Sequence, residues 1–171
     1  ASHWWLHRSL MALDAALRER GSRLVIRRGP TTEALRSIAR ESGATHAAWH
    51  RRHEPHAAAL EARVAAALRE DGIDVAASPG ALLVEPADIL GASGAPRRIF
   101  TPFWRALRAG PAPPLPLAPP RGLVAPRRWP RSVPVGSLGL SGADAQALET
   151  TWTPGEAGAR ARLRGFRRVA L

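Results

Sequence analysis

The chain has 171 residues, enough for one domain with its own core and a piece of a second. It contains no cysteine, which excludes disulfides and thiolate metal sites, and it has no apolar run long enough to predict a transmembrane helix. The net charge is +11, and all 25 basic residues are arginines, spread along the chain. Basic surface captures phosphate, but arginine, alanine, glycine and proline also share GC-rich codons. A nucleic-acid partner and a purely compositional origin are therefore equally open. Because the sequence starts at Ala1, we expect a processed chain or a piece of a longer protein.

The first half of the chain alternates helical and strand patterns. Leucines at helical spacing, β-branched runs and glycines after the last turns indicate a helix over 3–20, a strand over 23–28, a helix over 31–42 capped by Thr31 or Thr32, a strand over 45–49, a helix from Pro55 to Gly72, and a strand over 73–77. Such alternation predicts an α/β fold, with a parallel sheet flanked by helices.

The pattern changes after Gly80. Segments 81–85 and 100–108 are expected to be ordered, whereas 110–136 is too rich in proline for a regular element. It is either an extended linker, anchored by Leu123, Val124 and Trp129, or a disordered tail. Beyond it, Thr153 as N-cap, proline at the next position and Glu156 at N3 predict a helix over 154–166.

The stretch WHRRHEPHAAALE, over 49–61, is the main candidate for a ligand site. It follows a predicted strand and starts a helix, which places it at the carboxyl end of the sheet, where ligands of α/β proteins bind. Arg51 and Arg52 before a helix N-terminus favour an anion. The structural alternative is that Glu54 caps the helix and pairs with one arginine, while the other is solvated. Four histidines at positions 46, 50, 53 and 56 also have metal-ligand spacing, but the neighbouring arginines disfavour a cation, and no metal site is predicted.

No nucleophile elbow, dinucleotide-binding glycine motif, Walker loop or catalytic carboxylate pair is present in the sequence. Trp4 and Trp5 lie on the first predicted helix, where large aromatic residues mostly serve packing. No catalytic residues are predicted.

Five segments together resemble the amino-terminal α/β domain of the photolyase/cryptochrome family. They are WWLHRSLMALDAALRERGSRLVIRRG, TTEALRSIARESGATHAAWHRRHEP, GALLVEP, RIFTPFWRAL and WTPGE, in this order along the chain. The resemblance implies a Rossmann-like antenna domain over 1–109 that lacks its first strands, a Pro-rich interdomain linker over 110–150, and the start of the helical FAD-binding domain over 151–171.

The family's role is light-driven repair of pyrimidine dimers in DNA by a reduced FAD. The α/β domain holds an antenna chromophore, a folate or a deazaflavin, that passes excitation energy to the flavin. The resemblance therefore implies a cytoplasmic protein that needs a separate helical domain and is not catalytic alone, with weak or no DNA binding of its own. The antenna would be held by the loop and the first helical turn, through Arg51, Arg52, His53, Glu54 and His56.

The loop departs from the family pattern at several positions. His50 and His53 replace the usual Asn and Tyr, and His56-Ala57 replace an Asn-Glu pair that contacts folate, which counts against a folate held in that manner. Glu54 matches a glutamate expected to contact the antenna in deazaflavin-type members. The alternative function is a basic α/β module that binds an anionic ligand or DNA without enzymatic activity.

Overall fold

The computed structural model describes residues 1–80, 82–91, 93–113, 115, 117–140 and 145–170. The chain forms two compact units, one of residues 45–119 and one in which residues 1–44 associate with residues 120–171. In chain order the elements are α1 (Ser2–Arg18), α2 (Thr31–Ser42), β1 (His46–His50), α3 (Pro55–Glu70), β2 (Asp74–Ser78), a 3₁₀ turn (Pro86–Ile89), α4 (Phe100–Ala109), a second 3₁₀ turn (Val135–Leu138), α5 (Ala145–Thr151) and α6 (Glu156–Ala170).

The unit of residues 45–119 contains a parallel two-stranded sheet. β1 and β2 pair in register from His46 opposite Asp74 to His50 opposite Ser78, and α3 makes the crossover between them. Apolar residues of α3 and of the turn before β2 form the core of this unit: Ala57, Val64, Ala65, Leu68 and Ile73. The predicted α/β class and the parallel sheet are confirmed.

The helix boundaries follow the predicted signals in most places. Pro55 occupies the first turn of α3, where a missing N–H costs nothing. Gly43 ends α2 with φ of 70°, a conformation that side chains other than glycine rarely adopt. The predicted threonine cap of α2 is wrong, because Pro30 is the N-cap residue and Thr31 is already helical.

The predicted strand over 23–28 is also wrong. The segment has no regular secondary structure, and no strand pairs with it among the described residues. Its backbone groups find other partners. The Leu24 N–H donates to Asp14 Oδ1 at 2.8 Å, and the Ile26 N–H donates to Ser132 Oγ at 2.9 Å. Side chains and a loop therefore satisfy groups that a neighbouring strand would otherwise bind.

The Pro-rich segment contributes no α-helix or strand over its described residues between 111 and 134, yet it is anchored. The Leu123 N–H donates to the Arg20 carbonyl at 2.7 Å, and the guanidinium of Arg23 lies 4.6 Å from the ring centre of Trp129. These contacts support the extended-linker interpretation. Val124, the third predicted anchor, is fully exposed and anchors nothing.

The last helix starts later than predicted. Gly155 has φ of 92°, which is not helical, so α6 begins at Glu156 and the predicted cap at Thr153 is wrong. A Cβ placed on Gly155 would come within 2.9 Å of the Cβ of Ala12 on α1, so this corner lies against the first helix. α5 was not predicted and falls within the expected linker.

Among the residues that the structure describes, none of the helices combines the length and the apolar character that a membrane span requires.

Candidate functional site

The loop between β1 and α3 lies at the carboxyl ends of both strands, as predicted from the strand-to-helix order. β1 ends at His50 and α3 begins at Pro55. The strand pairing continues one residue into the loop, because the Arg51 N–H donates to the Ser78 carbonyl at 2.9 Å. This bond fixes the direction in which the chain leaves the sheet.

Glu85 is the residue on which two predicted site residues converge. Its Oε2 lies 3.4 Å from Nη1 of Arg51 and 3.5 Å from Nε2 of His53. The Glu85 side chain is 16% exposed, and its Oε1 is buried without a hydrogen-bond partner among the described residues. A buried carboxylate oxygen with an unused acceptor position is costly to leave unpaired, so it marks a place where a donor can bind. The family-like segment GALLVEP contains this residue, but the sequence pattern alone did not indicate a site role for it.

Arg52 has a different carboxylate partner. Its Nε lies 3.7 Å from Oε1 of Glu61, one of the residues of α3. The predicted alternative, in which Glu54 caps α3 and pairs with an arginine, is wrong in both parts. Glu54 stands at the N-cap position, but its carboxylate makes no capping hydrogen bond, and the ion pairs of the two arginines go to Glu85 and Glu61.

The carboxyl group of Glu54 nevertheless has a lower pKa than an ordinary glutamate. A hydrogen bond from its own backbone N–H lowers its pKa, and the positive charge of Arg52 adds to the effect. Smaller contributions in the same direction come from His56 and His53. The first turn of α3 therefore carries an exposed anionic group beside basic residues.

His50 is held by contacts with the chain that follows β2. Its Nδ1 lies 3.2 Å from the Pro79 carbonyl, to which it donates when it carries the proton, and 3.3 Å from the Ser78 hydroxyl, which donates to it in the other tautomer. A Cβ on Gly80 would lie 2.3 Å from the same nitrogen, so this ring position requires glycine there. His56 is exposed, whereas Ala57 is completely buried and offers no side chain at the surface.

The four histidines do not converge. His46 starts β1 and pairs with Asp74 at 3.4 Å, whereas His50 ends the same strand, about 13 Å away at the usual rise per residue. In the part of the chain that the structure describes, no group of three or more histidine, aspartate or glutamate side chains is placed to hold a metal.

Cavities occur in the other unit. One, of about 710 Å³, lies along α1 beside Val135 and Gly136, and another, of about 510 Å³, is lined by Trp4, Trp5 and Trp152. The predicted packing role of the first tryptophan is confirmed, because Trp4 is only 4% exposed. The loop residues line neither cavity and instead form an open edge.

The fold is a parallel α/β domain with an open edge at the carboxyl ends of its strands, and comparison with known proteins gives the family. A sequence profile of the DNA photolyase family matches residues 1–120. The chain therefore belongs to the DNA photolyase family.

Individual relatives agree with this assignment. The deoxyribodipyrimidine photo-lyase of Agrobacterium fabrum is 40% identical over 169 residues, which are 97% of this chain and 35% of that protein. Cryptochrome-1 of Arabidopsis thaliana is 31% identical over 125 residues, covering 72% of this chain and 18% of that protein. The crystal structure of a class III photolyase from Agrobacterium tumefaciens superposes with a TM-score of 0.89 at 40% identity, over 96% of this chain and 35% of that one. The chain thus spans about a third of the length of these two photolyases.

The family implies FAD and an antenna chromophore, and the residues present fit the two groups differently. The two arginines of the 710 Å³ cavity, Arg8 and Arg18, are paired with Glu149 and Asp14, so neither guanidinium is free for the diphosphate of FAD. We assign no flavin site to these residues. The free Oε1 of Glu85, in contrast, suits an antenna ring that carries an N–H donor.

Proposed function

We propose that this chain is the antenna-chromophore part of a photolyase, whose whole form repairs pyrimidine dimers in DNA by light-driven, FAD-dependent chemistry, and that it is not catalytic alone. The observation that carries the proposal is the 40% identity and TM-score of 0.89 with a class III photolyase, over nearly the whole chain but 35% of the relative. Its partners are then DNA, through the complete protein, and a helical FAD-binding domain. A cytoplasmic location is consistent with a DNA substrate.

The proposed domain boundaries follow the family pattern. Residues 1–109 correspond to the α/β domain, 110–150 to the linker and 151–171 to the start of the helical domain. The contacts of Leu123 and Trp129 support a linker that follows the surface of its own unit.

The antenna is proposed to bind at the loop and the first turn of α3, through Arg51, Arg52, His53, Glu54 and His56. Glu85 is added to this set because its Oε2 contacts both Arg51 and His53, while its Oε1 has no hydrogen-bond partner among the described residues. When bound, the antenna supplies absorbed light energy to the flavin. The protein residues have only to hold its ring and limit its motion.

The edge favours a deazaflavin over a folate. Both arginines already have carboxylate partners, so the site offers little net attraction for the carboxylates of a folate tail. Ala57 is buried where family members that bind folate carry a contacting glutamate.

Chromophore binding tests the site directly. The 171-residue chain is incubated with a deazaflavin or a reduced folate, separated from free chromophore, and examined by absorbance. We expect the chain to retain the deazaflavin and Glu85→Gln to bind it about tenfold more weakly, because a hydrogen bond to a charged acceptor becomes a neutral one. Arg63→Gln, on the exposed side of α3, is the matched control and should bind as the parent does. Retention of neither chromophore would contradict the proposed site.

A chimera tests the family role independently of the antenna. The segment of the Agrobacterium fabrum photo-lyase that matches this chain is replaced by the chain itself. Light-dependent repair by the chimera is expected, since the aligned α/β residues would support the same helical domain. A well-folded chimera without repair would contradict the proposed role.

A further inference from the structure

The first part of the Pro-rich segment, residues 111–121, makes no anchoring contact. Its sequence is PAPPLPLAPPR, and all of its described residues are exposed. Among the residues that the structure describes, no hydrogen bond or ion pair joins this stretch to the rest of the chain, and the backbone bonds on either side of it belong to Gly110 and Leu123. We name residues 111–121 the proline arm. The arm is therefore free for a partner.

The sequence of the proline arm restricts its backbone to extended conformations. Six of its eleven residues are prolines, which fix φ near −65°, and each residue before a proline is pushed towards extended backbone. Gly110, which ends α4 and leads into the arm, has φ of −73° and ψ of 171°. A chain restricted in this way favours the polyproline II helix, which has three residues per turn and no internal hydrogen bonds. The arm therefore loses little conformational entropy when it binds.

Two neighbouring edges of the arm carry different side chains in a polyproline II helix. Because the repeat is three residues, Pro116 and Pro119 share one edge. Leu115, Ala118 and Arg121 share the next edge. The Leu115 side chain is available for contact, since the residue is 90% exposed. The arm thus offers two successive pairs of an apolar residue and a proline, followed by an arginine.

The remainder of the Pro-rich segment has neither the spacing nor the exposure. Its prolines at 126, 130 and 134 are four residues apart, so they do not share an edge of a polyproline II helix. That stretch is also bound to its own unit, because the Arg131 N–H donates to Glu41 Oε2 at 2.8 Å. A spacer requires proline but no fixed register. The three-residue register and the free side chains of the arm therefore indicate a binding segment.

We propose that the proline arm binds a separate protein domain that has an aromatic-lined groove with a carboxylate at one end, which is the recognition chemistry of an SH3 domain. Aromatic grooves of this kind accept the apolar–proline pairs of a polyproline II helix. Arg121 supplies the charge for the carboxylate, because it is exposed and has no ion-pair partner among the described residues. It follows Ala118 by one turn, about 9 Å along the helix.

A polyanion fits the arm less well than such a groove. Arg121 is the one charged residue in the sequence of the arm, so a nucleic acid would gain a single phosphate contact there. The groove uses the apolar edge as well as the charge. The inference assigns a surface outside the sheet and the loop after β1, and it requires neither an antenna nor a flavin.

Heteronuclear NMR tests the proposal with the whole chain. A panel of ¹⁵N-labelled SH3 domains that select arginine two residues after the second proline is titrated with the unlabelled chain, and resonances of the aromatic groove are expected to shift. Pro116→Ala/Pro119→Ala should weaken binding about 30-fold, since both prolines fill pockets at the centre of the contact. Pro126→Ala/Pro134→Ala removes two prolines outside the arm and should bind within about twofold of the parent.

Arginine substitutions test the acidic end of the groove. Arg121→Gln should weaken binding about tenfold, because the carboxylate of the partner then lacks its opposite charge. Arg128→Gln removes the same charge from an exposed arginine outside the arm and should change the affinity by less than about twofold. Circular dichroism checks that each variant is folded.

Three results would overturn the proposal. One is the absence of groove shifts with every SH3 domain of the panel. Another is an equal loss of affinity for the two arginine variants, which would show a non-specific attraction to a basic chain. The third is tighter binding to a WW domain, with no effect of Arg121→Gln. Because no chromophore, DNA or light is involved, failure here is distinguishable from failure of the antenna proposal.

Discussion

Replacing Gly158 by alanine should destabilise α6, although helix propensity alone predicts the opposite. In a helix interior, Gly→Ala stabilises by up to about 1 kcal/mol. Here the new Cβ would lie 1.9 Å from the carbonyl oxygen of Thr153, and an ordinary carbon–oxygen contact is about 3.3 Å. Backbone atoms must therefore separate by more than about 1 Å, and overpacking of this kind costs about 1–3 kcal/mol. We expect a net loss of about 1–2 kcal/mol.

Gly165 provides a matched control in the same helix. A Cβ there meets nothing within 4 Å, so Gly165→Ala should stabilise α6 by about 0.5–1 kcal/mol. Amide hydrogen exchange over residues 156–170 measures the local opening free energy of each variant. Equal stabilisation by the two substitutions would refute the close approach of Gly158 to Thr153.

Three further predictions concern the core, the linker and the site. Leu68 is 1% exposed, so Leu68→Ala should lower the free energy of unfolding by about 2–5 kcal/mol. The control Leu83→Ala changes a residue that is 69% exposed and should alter that free energy by less than about 0.5 kcal/mol. Urea unfolding measures both variants. The pKa of Glu41 is lowered from 4.5 to about 2, chiefly by the backbone N–H of the linker residue at position 131. Its stabilising effect should therefore be complete above pH 4.5 and lost as pH falls toward 2, seen as lower protection factors of the linker amides, that is, exchange relative to the intrinsic rate at each pH. Gly80→Ala should displace the His50 ring and change its tautomer balance, observed by ¹⁵N NMR.

Each of these predictions has a contradicting result. Equal losses for the two leucine variants would show that the α3 core is packed differently. A linker whose amide exchange depends on pH in the same way when Glu41 is replaced by glutamine would remove this carboxylate as the cause. Unchanged imidazole resonances after the glycine substitution would mean that the His50 ring does not contact residue 80.

Local signals in the sequence were sufficient for most of the secondary structure. The apolar spacing, Pro55 and the glycines after helices predicted α1, α2, α3 and both strands to within about two residues. The segment 23–28 has a strand-like composition, but a strand also requires a neighbour, and its partners are Asp14 and the linker. That outcome depends on contacts far apart in the chain, which local propensity does not contain.

The candidate site was predictable in position but not in pairing. The strand-to-helix order placed the loop at the carboxyl end of the sheet. The partner of Arg51 and His53 is Glu85, more than thirty residues further along the chain, and no periodicity connects them. The start of α6 was missed because WTPGE matches a capping box, while the positive φ of Gly155 delays the helix.

The most direct test of the central claim is photoreactivation by this chain alone. Dimer-containing DNA is illuminated with the chain and added reduced FAD, with the Agrobacterium fabrum photo-lyase as the positive control. We predict light-dependent loss of dimers with the control enzyme and none above background with the chain. Multiple-turnover repair by the chain would contradict its assignment as an antenna part that is not catalytic alone.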